Sequence, residues 1–188
     1  MEVLKLKKLH PDAHIPTRAH STDAGMDLYA LPVEYTDEEK EACKTVLMAK
    51  AALQSAQAFD YFCAVPDSDW EHVFKKGIVV LPHETKMIPT GIAVSIDPGY
   101  VGYVFARSGL ASKQSLSPVN GVGVIDSAYR GEIKVPLHNH GNKIQIIDVG
   151  ERIAQLVIQP ISLCTPVEVD ELDETERGVG GFGSSGAK

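Results

Sequence analysis

The stretch Asn120–Glu132 reads Asn-Gly-Val-Gly-Val-Ile-Asp-Ser-Ala-Tyr-Arg-Gly-Glu, and it indicates both β-structure and a place for chemistry. Apolar residues alternate up to Asp126, which is typical of a strand, and the small residues before Tyr129 favour a tight turn. We therefore expect a β-hairpin with the Asp126 carboxylate at its mouth, where it could orient a water molecule. Gly123 would let a flat ligand approach the backbone closely. The alternative is an ordinary hairpin with a solvated turn aspartate.

Most of the remaining chain predicts short strands separated by turns. Pairs such as Pro98-Gly99 and Val149-Gly150 are typical of the turns between them. This pattern predicts an all-β, jelly-roll-like barrel. The predicted strands are Val3–Leu9, Met26–Ala30, Gly77–Leu81, Lys86–Ile96, Tyr100–Ala106, Val122–Asp126, Glu132–His138, Ile144–Ile147, Arg152–Ile158 and Pro166–Val169.

One segment, at about residues 36–76, breaks the β pattern and predicts a helical insertion. Thr36-Asp37-Glu38-Glu39 has the form of a capping box, so a helix is expected from Thr36 to about Phe59. We expect the insertion to pack against the side of the barrel, and a partner-binding or gating role is the alternative. The expected apolar stripe is Ala42, Val46, Ala49, Leu53 and Ala56, and the aromatic cluster that follows is Phe59, Tyr61, Phe62, Trp70 and Phe74.

The C-terminal residues 174–188 are rich in glycine and cannot pack a core, so they predict a flexible arm behind a single domain of residues 1–173. The run Arg177–Gly186 nevertheless carries an arginine, a phenylalanine and two hydroxyls among its glycines. Such residues can wrap phosphates and stack on a base. A plain flexible tail is the alternative.

Composition narrows the classes of function. The chain has 188 residues, 44% of them hydrophobic, and a net charge of −7, which disfavours a broadly basic surface for nucleic acid. No apolar run reaches the roughly 18 residues of a membrane span. The three cysteines form no Cys-x-x-Cys pair. We therefore expect a reducing compartment, and we expect neither a disulfide framework nor a structural zinc site. His138-Asn139-His140 places two imidazoles on one strand face, but a third ligand is not near in sequence, so surface histidines are expected.

Five segments, taken in order, resemble the motifs of the trimeric dUTPase family. They are Ala24–Tyr29, Arg107–Lys113, Asn120–Glu132, Arg152–Gln155 and Arg177–Gly186. The resemblance implies an enzyme that hydrolyses dUTP to dUMP and pyrophosphate, limiting uracil in DNA and supplying dUMP for dTMP synthesis. It also implies Mg²⁺ as cofactor and a homotrimer whose active sites are shared between subunits. The cysteine pattern points to the cytoplasm, or to the nucleus if the host is a eukaryote.

The resemblance also implies a role for each matching residue. Asp126 would activate the water that attacks the α-phosphorus, and Tyr129 would pack under the deoxyribose. Asp27 would support the phosphate and metal region indirectly, through water. The implied nucleoside contacts are Asn120, Gly123, Val124, Ile125 and Lys134. The implied phosphate contacts are Arg107, Ser108, Gly109 and Gln155. From the arm, the implied contacts are Arg177 to the γ-phosphate, Phe182 over the uracil, and Gly183, Ser184 and Ser185 around the triphosphate.

Two alternatives to a plain dUTPase remain at this point. The insertion Glu34–Lys76 departs from the shorter connection of the family, so it leaves open a protein partner and an added regulatory role. A dCTP deaminase resembles dUTPases in fold, but it needs an acid–base glutamate on the strand where this chain has Pro136. For Arg152, a structural salt bridge is favoured over a phosphate contact.

Overall fold

A computed structural model describes residues 3–54, 70 and 74–181 of the chain. They contain eleven strands, a long helix α1 (Asp37–Gln54), a short helix α2 (Ser108–Gln114) and a helical turn at residues 74–76. The strands are β1 (Lys5–Lys8), β2 (Met26–Tyr29), β3 (Gly77–Val80), β4 (Thr85–Pro89), β5 (Ile92–Ser95), β6 (Tyr100–Ala106), β7 (Leu116–Pro118), β8 (Gly123–Ile125), β9 (Lys134–Asn139), β10 (Gln145–Asp148) and β11 (Arg152–Pro160).

The strands form antiparallel sheets around one main core, which confirms the predicted all-β class. The sheet orders are β2-β11-β6-β8, β4-β9-β7, β1-β5 and β10-β3. The inward-facing residues of these strands meet at the centre, where Leu28, Ile88, Leu137 and Leu156 are fully buried. Burying a side chain of this size stabilises the fold by about 1.5–3 kcal/mol. No helix in the described part of the chain has the length and apolar character needed to cross a membrane.

The predicted long strand Lys86–Ile96 is in fact two strands that belong to different sheets. Strand β4 pairs with β9, whereas β5 pairs with β1. The break falls at Gly91, whose φ of 66° is a left-handed conformation that favours glycine. The Thr90 hydroxyl donates to the Ile133 carbonyl (2.6 Å), and the Gly91 amide donates to Glu132 (2.8 Å). These two bonds replace the hydrogen bonds that a continuous strand would make with its neighbours. The alternation of apolar and polar residues does not reveal such a break between two sheets.

Two other strand predictions need correction. The segment Pro166–Val169 was predicted as a strand but forms none, and Val167 and Val169 are exposed. Alternation yields a strand only where a neighbouring strand offers a free edge, and no described strand pairs with this segment. Conversely, the short strand β7 was not predicted. It follows Ser115, whose left-handed backbone ends α2, and it pairs with β9.

The hairpin expected around Asp126 is also wrong as a pairing. Strand β8 pairs with β6, and the return strand β9 pairs with β4 and β7. The turn itself forms, because the Tyr129 amide donates to the Asp126 carbonyl (3.0 Å). The segment from Asp126 to Gly131 therefore links two sheets, and its side chains lie where those sheets separate.

The helical insertion begins as predicted, but it packs through a different face. The capping box is confirmed, since the Glu39 amide donates to the Thr36 hydroxyl (3.1 Å) and the Thr36 amide donates to the Glu39 carboxylate (2.9 Å). Ala42 and Ala49 of the predicted stripe are exposed. Larger apolar side chains at neighbouring positions of the helix bury more surface than these alanines do. They belong to a second, smaller core, here called the satellite core. Its residues are Cys43, Trp70, Phe74 and Val79, with Tyr35, Leu47, Met48, Leu81 and Ile144 packed against them.

The end of β9 is held by a buried asparagine between two histidines. Asn139 donates to the carbonyls of Val80 (3.1 Å) and Lys143 (2.8 Å) and accepts from the Gly141 amide (3.0 Å). The flanking imidazoles of His138 and His140 lie with ring centroids 4.5 Å apart. Each is hydrogen-bonded to a neighbouring hydroxyl, of Thr85 and Ser117 respectively. The His-Asn-His run thus closes the β4-β9-β7 sheet.

Candidate functional site

Five of the predicted site residues lie together in a polar cavity of about 360 Å³, here called the Arg107 cavity. It forms where β6 ends and α2 begins, beside the adjacent strands β2 and β11. The predicted residues in its lining are Asp27, Arg107, Ser108, Gly109 and Gln155, and the others are Ala19, Asp23, Ala24, Gly25 and Arg152. Antiparallel pairing of the three strands thus brings together residues that are up to 128 positions apart (155 − 27) in the chain.

The centre of the Arg107 cavity is a carboxylate held by two guanidinium groups. Arg107 Nε donates to Asp27 Oδ1 (2.9 Å), and an Arg152 nitrogen donates to Asp27 Oδ2 (3.1 Å). Arg107 also donates to the Arg152 carbonyl (3.1 Å). A guanidinium has five N–H donors, so these two bonds orient Arg107 and leave its other donors for an anion. The expected salt bridge of Arg152 is confirmed.

Gly25 leaves room for the Gln155 side chain in the wall of this cavity. Gln155 donates through its amide nitrogen to the Ala106 carbonyl (2.9 Å), which fixes the side chain at the end of β6. A Cβ atom on Gly25 would collide with the Gln155 side-chain oxygen. Ser108 and Gly109 are exposed in the first turn of α2, where backbone N–H groups have no acceptor within the helix. The motif segment Arg107–Lys113 that follows β6 therefore lies mostly in a short helix.

Six other predicted residues line a second cavity of about 730 Å³, here called the Tyr129 cavity. It lies between the edge strand β8 and the β4-β9-β7 sheet. A Cβ atom on Gly123 would lie 3.0 Å from the Val104 Cβ, so a larger residue would push β8 away from β6. The predicted residues are Asn120, Gly123, Val124, Ile125, Tyr129 and Lys134, and the others are Met87, Val104, Pro118, Glu132 and Pro136.

The ring of Tyr129 is held across the turn that carries it. Its hydroxyl donates to the Glu132 carbonyl (2.9 Å), and a Cβ atom on Gly131 would collide with that hydroxyl. Glu132 in turn accepts from the Gly91 amide and lies 3.7 Å from the Lys134 ammonium. Tyr129 is nevertheless 44% exposed, so it offers a ring that is fixed in place but open to a ligand.

Asp126 follows the last residue of β8 directly and is exposed. It borders the Tyr129 cavity through its neighbour Ile125, and it lines neither cavity itself. A solvated carboxylate at the rim of a cavity is suited to accept a proton from a water molecule.

The two cavities share no lining residue. Gln155 lies opposite Phe105 in the pairing of β11 with β6, and Gly123 lies opposite Val104 in the pairing of β8 with β6. Successive residues of a strand point to opposite faces. Gln155 and Gly123 therefore lie on opposite faces of the β2-β11-β6-β8 sheet, whereas Val124, opposite Tyr103, shares the face of Gln155.

Protein ligands for a metal ion are sparse here. Across residues 3–54, 70 and 74–181, no group of three or more His, Cys, Asp and Glu side chains could hold a metal ion. Both oxygens of Asp27 already accept from arginines. The chemistry of these residues fits a hard cation held by ligand oxygens and water, and it does not fit an all-protein cage.

The predicted arm residues are only partly described. Arg177 is exposed, and its Nε donates to the Gly180 carbonyl (2.8 Å) within the arm itself. It lines neither cavity. Phe182, Gly183, Ser184 and Ser185 lie outside the described residues.

Sequence reasoning missed the residues that only strand pairing brings to the cavities. Met87 was not predicted; it lies on β4 opposite Pro136 of β9, and the two form one side of the Tyr129 cavity. Both belong to strands that were predicted, but a strand pattern does not say which ligand site a strand borders. Asp23, which lines the Arg107 cavity, directly precedes the predicted motif Ala24–Tyr29. Its closeness to that motif in the sequence is the signal that could have identified it.

The family model described as dUTPase matches residues 73–186. The deoxyuridine 5'-triphosphate nucleotidohydrolase of Nocardia farcinica (strain IFM 10152) is 39% identical over 97% of this chain and 85% of its own length.

Solved structures give the same result. A variant of the Staphylococcus bacteriophage 80alpha dUTPase with dUpNHpp aligns over 100% of both chains, with 28% identity and a TM-score of 0.71. A variant of the dUTPase from phage phi11 of S. aureus, described with the coordination of a structural Mg(II) ion, aligns over 90% of this chain and 97% of its own. That pair has 25% identity and a TM-score of 0.61.

Proposed function

This chain belongs to the dUTPase family and hydrolyses dUTP, and from that premise we propose how its residues divide the work. The Tyr129 cavity takes the uracil and deoxyribose, and the Arg107 cavity takes the triphosphate. Asp126 accepts a proton from the water that attacks the α-phosphorus, the bond from that phosphorus to the bridging oxygen breaks, and pyrophosphate leaves with the electron pair. The products are dUMP and pyrophosphate.

The observation that carries this proposal is that guanidinium groups line one cavity and an aromatic ring lines the other. The Arg107 cavity holds two guanidinium groups, of which Arg107 is oriented by Asp27 and has donors to spare. Such groups stabilise the negative charge that develops on a leaving pyrophosphate. The Tyr129 cavity holds a fixed aromatic ring and exposed strand backbone at Gly123, which suit a flat base and its sugar. We assign Asp27 the role of orienting Arg107.

We also propose a homotrimer in which a site joins the Tyr129 cavity of one subunit to the Arg107 cavity of another. Within one chain the two cavities share no lining residue, so we place the two halves of one dUTP on two chains. In this arrangement residues 1–173 form the domain of each subunit, and residues 174–188 form an arm that closes over a site. The trimeric state itself is checked by light scattering of the purified enzyme.

Mixing two inactive variants tests the shared site. Chains with Arg107→Ala and chains with Asp126→Asn are each expected to be inactive as homo-oligomers. Co-expressed, they are expected to regain measurable pyrophosphate release, because an interface between the two chain types rebuilds one site with both residues intact. Co-expression of each variant with a second tagged copy of itself is the control. No recovery in mixed oligomers of verified composition would place both residues in one chain.

Mg²⁺ is the cofactor we propose, held by phosphate oxygens and water molecules with Asp27 acting only indirectly. When bound, it would neutralise phosphate charge during the departure of pyrophosphate. The related phi11 enzyme is described with a structural Mg(II) ion. In the Arg107 cavity, Arg107 and Arg152 would neutralise the phosphate charge that the metal ion leaves.

Pyrophosphate release from dUTP, dCTP, dTTP and UTP, each measured with Mg²⁺ and again after chelation, tests this assignment. Release from dUTP alone, and only with the metal, is expected. Release from dCTP or UTP at a similar rate would contradict the assigned base and sugar contacts. Equal rates after chelation would contradict the metal.

Removing the ring of Tyr129 should weaken the discrimination against ribose. In Tyr129→Ala, the ratio of kcat/KM for dUTP to that for UTP is expected to fall by about tenfold to a hundredfold, because a 2′-hydroxyl would then find room. Tyr129→Phe is the matched control, since it keeps the ring and loses only the hydrogen bond to Glu132. An unchanged ratio in Tyr129→Ala would remove Tyr129 from sugar recognition.

Neither alternative function gains support. The strand position expected to carry a glutamate in a dCTP deaminase is Pro136, which lies in β9 and lines the Tyr129 cavity without an acid or base. A protein partner at the insertion Glu34–Lys76 stays a prediction, to be checked by comparing the proteins captured by the enzyme with and without that segment.

A further inference from the structure

Strand β4 presents alternate residues to two different parts of the molecule. Met87 is 54% exposed and lines the Tyr129 cavity. Lys86, its neighbour, is only 8% exposed and lies on the opposite face of the strand. A buried lysine at the centre of a short strand needs an explanation, because an ammonium without partners is costly to bury.

The partners of Lys86 come mainly from the helical insertion. Its ammonium lies 2.8 Å from Glu39 Oε1, 3.4 Å from Glu84 Oε1 and 4.7 Å from the ring centroid of Tyr35. Burial alone would lower the pKa of Lys86, but the hydrogen bond that Lys86 donates to Glu39 and the charge of Glu84 raise it overall. Lys86 is therefore a charged group enclosed between β4 and the start of α1.

Glu39 connects this ion pair to the geometry of the helix. One of its oxygens accepts from the Thr36 amide in the capping box, and the other accepts from Lys86. Tyr35, just before the helix, accepts from the Val79 amide of β3 through its hydroxyl (2.7 Å), and burial raises the pKa of that hydroxyl to about 12. The first turn of the insertion is thus bonded to both β3 and β4.

A change at this contact has a direct route to the Tyr129 cavity. Removing the carboxylate would leave the Lys86 ammonium with a weaker set of partners, so the ammonium and the strand that carries it would move toward water. Strand β4 pairs with β9, and Met87 lies opposite Pro136. Both residues line the same side of the cavity, so a small displacement of β4 and of the strand paired with it changes that side.

We propose that Lys86 is a positioning residue through which the helical insertion sets the shape of the Tyr129 cavity and the affinity for the nucleoside half of dUTP. This inference rests on the nucleoside role proposed for that cavity. It assigns the insertion a function inside its own subunit. Because the Arg107 cavity contains no residue of β4, the effect should fall on the nucleoside and spare the phosphates.

The test compares Glu39→Gln, Met87→Ala and the double variant with the parent enzyme. Glu39→Gln keeps the shape of the side chain and an oxygen for the cap, and it removes the charge. Its KM for dUTP is expected to rise about fivefold with kcat unchanged. Product inhibition by dUMP should weaken by the same factor, and inhibition by pyrophosphate should not change. The double variant should raise KM by less than the product of the two single effects, because both act through one strand.

The matched control is Glu38→Gln, an exposed glutamate in the same helical turn, which should leave all constants at parent values. Thermal melting shows whether each variant is folded. If Glu39→Gln yields too little folded enzyme, Lys86→Arg takes its place, since it keeps the charge and enlarges the head group, and the same rise in KM is expected.

Three results would overturn the inference: an unchanged KM in Glu39→Gln (or in Lys86→Arg where it takes its place), multiplicative effects in the double variant, or a loss confined to the amount of active enzyme. Parent activity in the same assay separates these results from a failure of the enzyme assignment. If neither Met87→Ala nor Tyr129→Ala changes KM, the nucleoside role of the cavity is wrong, and the inference falls with it.

Discussion

Asp126→Asn is expected to lower kcat for dUTP by about 10²–10⁴-fold, the usual contribution of a general base. Asparagine has nearly the same shape, so the strand β8 and the turn to Tyr129 should be kept. The amide cannot accept the proton of the attacking water. Binding of dUTP, measured by calorimetry, should therefore stay close to that of the parent while single-turnover hydrolysis slows.

The control for this variant is Asp97→Asn, which neutralises another exposed aspartate in a turn that borders neither cavity. Its kinetics should match those of the parent. An Asp126→Asn enzyme that turns over at the parent rate would show that another group activates the water. A large loss of dUTP affinity in place of kcat would make Asp126 a binding residue.

What the sequence could predict of the site is what depends on neighbours along the chain. Asp126 lies at the end of its strand, and Tyr129 follows it through the expected turn. The capping box of α1 likewise needs only Thr36 and Glu39. These local arrangements are fixed by backbone preferences and short-range hydrogen bonds, so a pattern of residues is enough to find them.

What the sequence could not predict depends on which strands meet. The turn after Asp126 joins two sheets because β8 pairs with β6, and no residue in the turn encodes that choice. The corner at Gly91 depends on an amide bond to Glu132, 41 residues away. The apolar face of α1 is set by the satellite core that it meets, so Cys43 is buried where alanines were expected. Even Lys86, a charged residue in a predicted strand, reveals its role only beside Glu39.

Removing Arg177–Lys188 is expected to lower kcat/KM for dUTP by about 10²–10³-fold, the scale for losing groups that stabilise transition-state charge. In the described structure Arg177 is exposed and bonds only within the arm, at Gly180. It is therefore free to be recruited by a bound triphosphate, and residues 177–186 hold the glycines, hydroxyls and aromatic ring that could close over it.

The melting temperature separates closure from a structural role of the arm. Arg177 contributes nothing to the main core or to the satellite core, so the truncated enzyme should melt at the parent temperature. Deleting only Ala187–Lys188 is the matched control, because it shortens the chain and leaves every proposed contact residue in place. Parent kinetics in the longer truncation would show that the two cavities suffice without an arm. A lower melting temperature would instead mean that the arm supports the fold. The loss of activity would then follow from lower stability, without closure of the arm over the site.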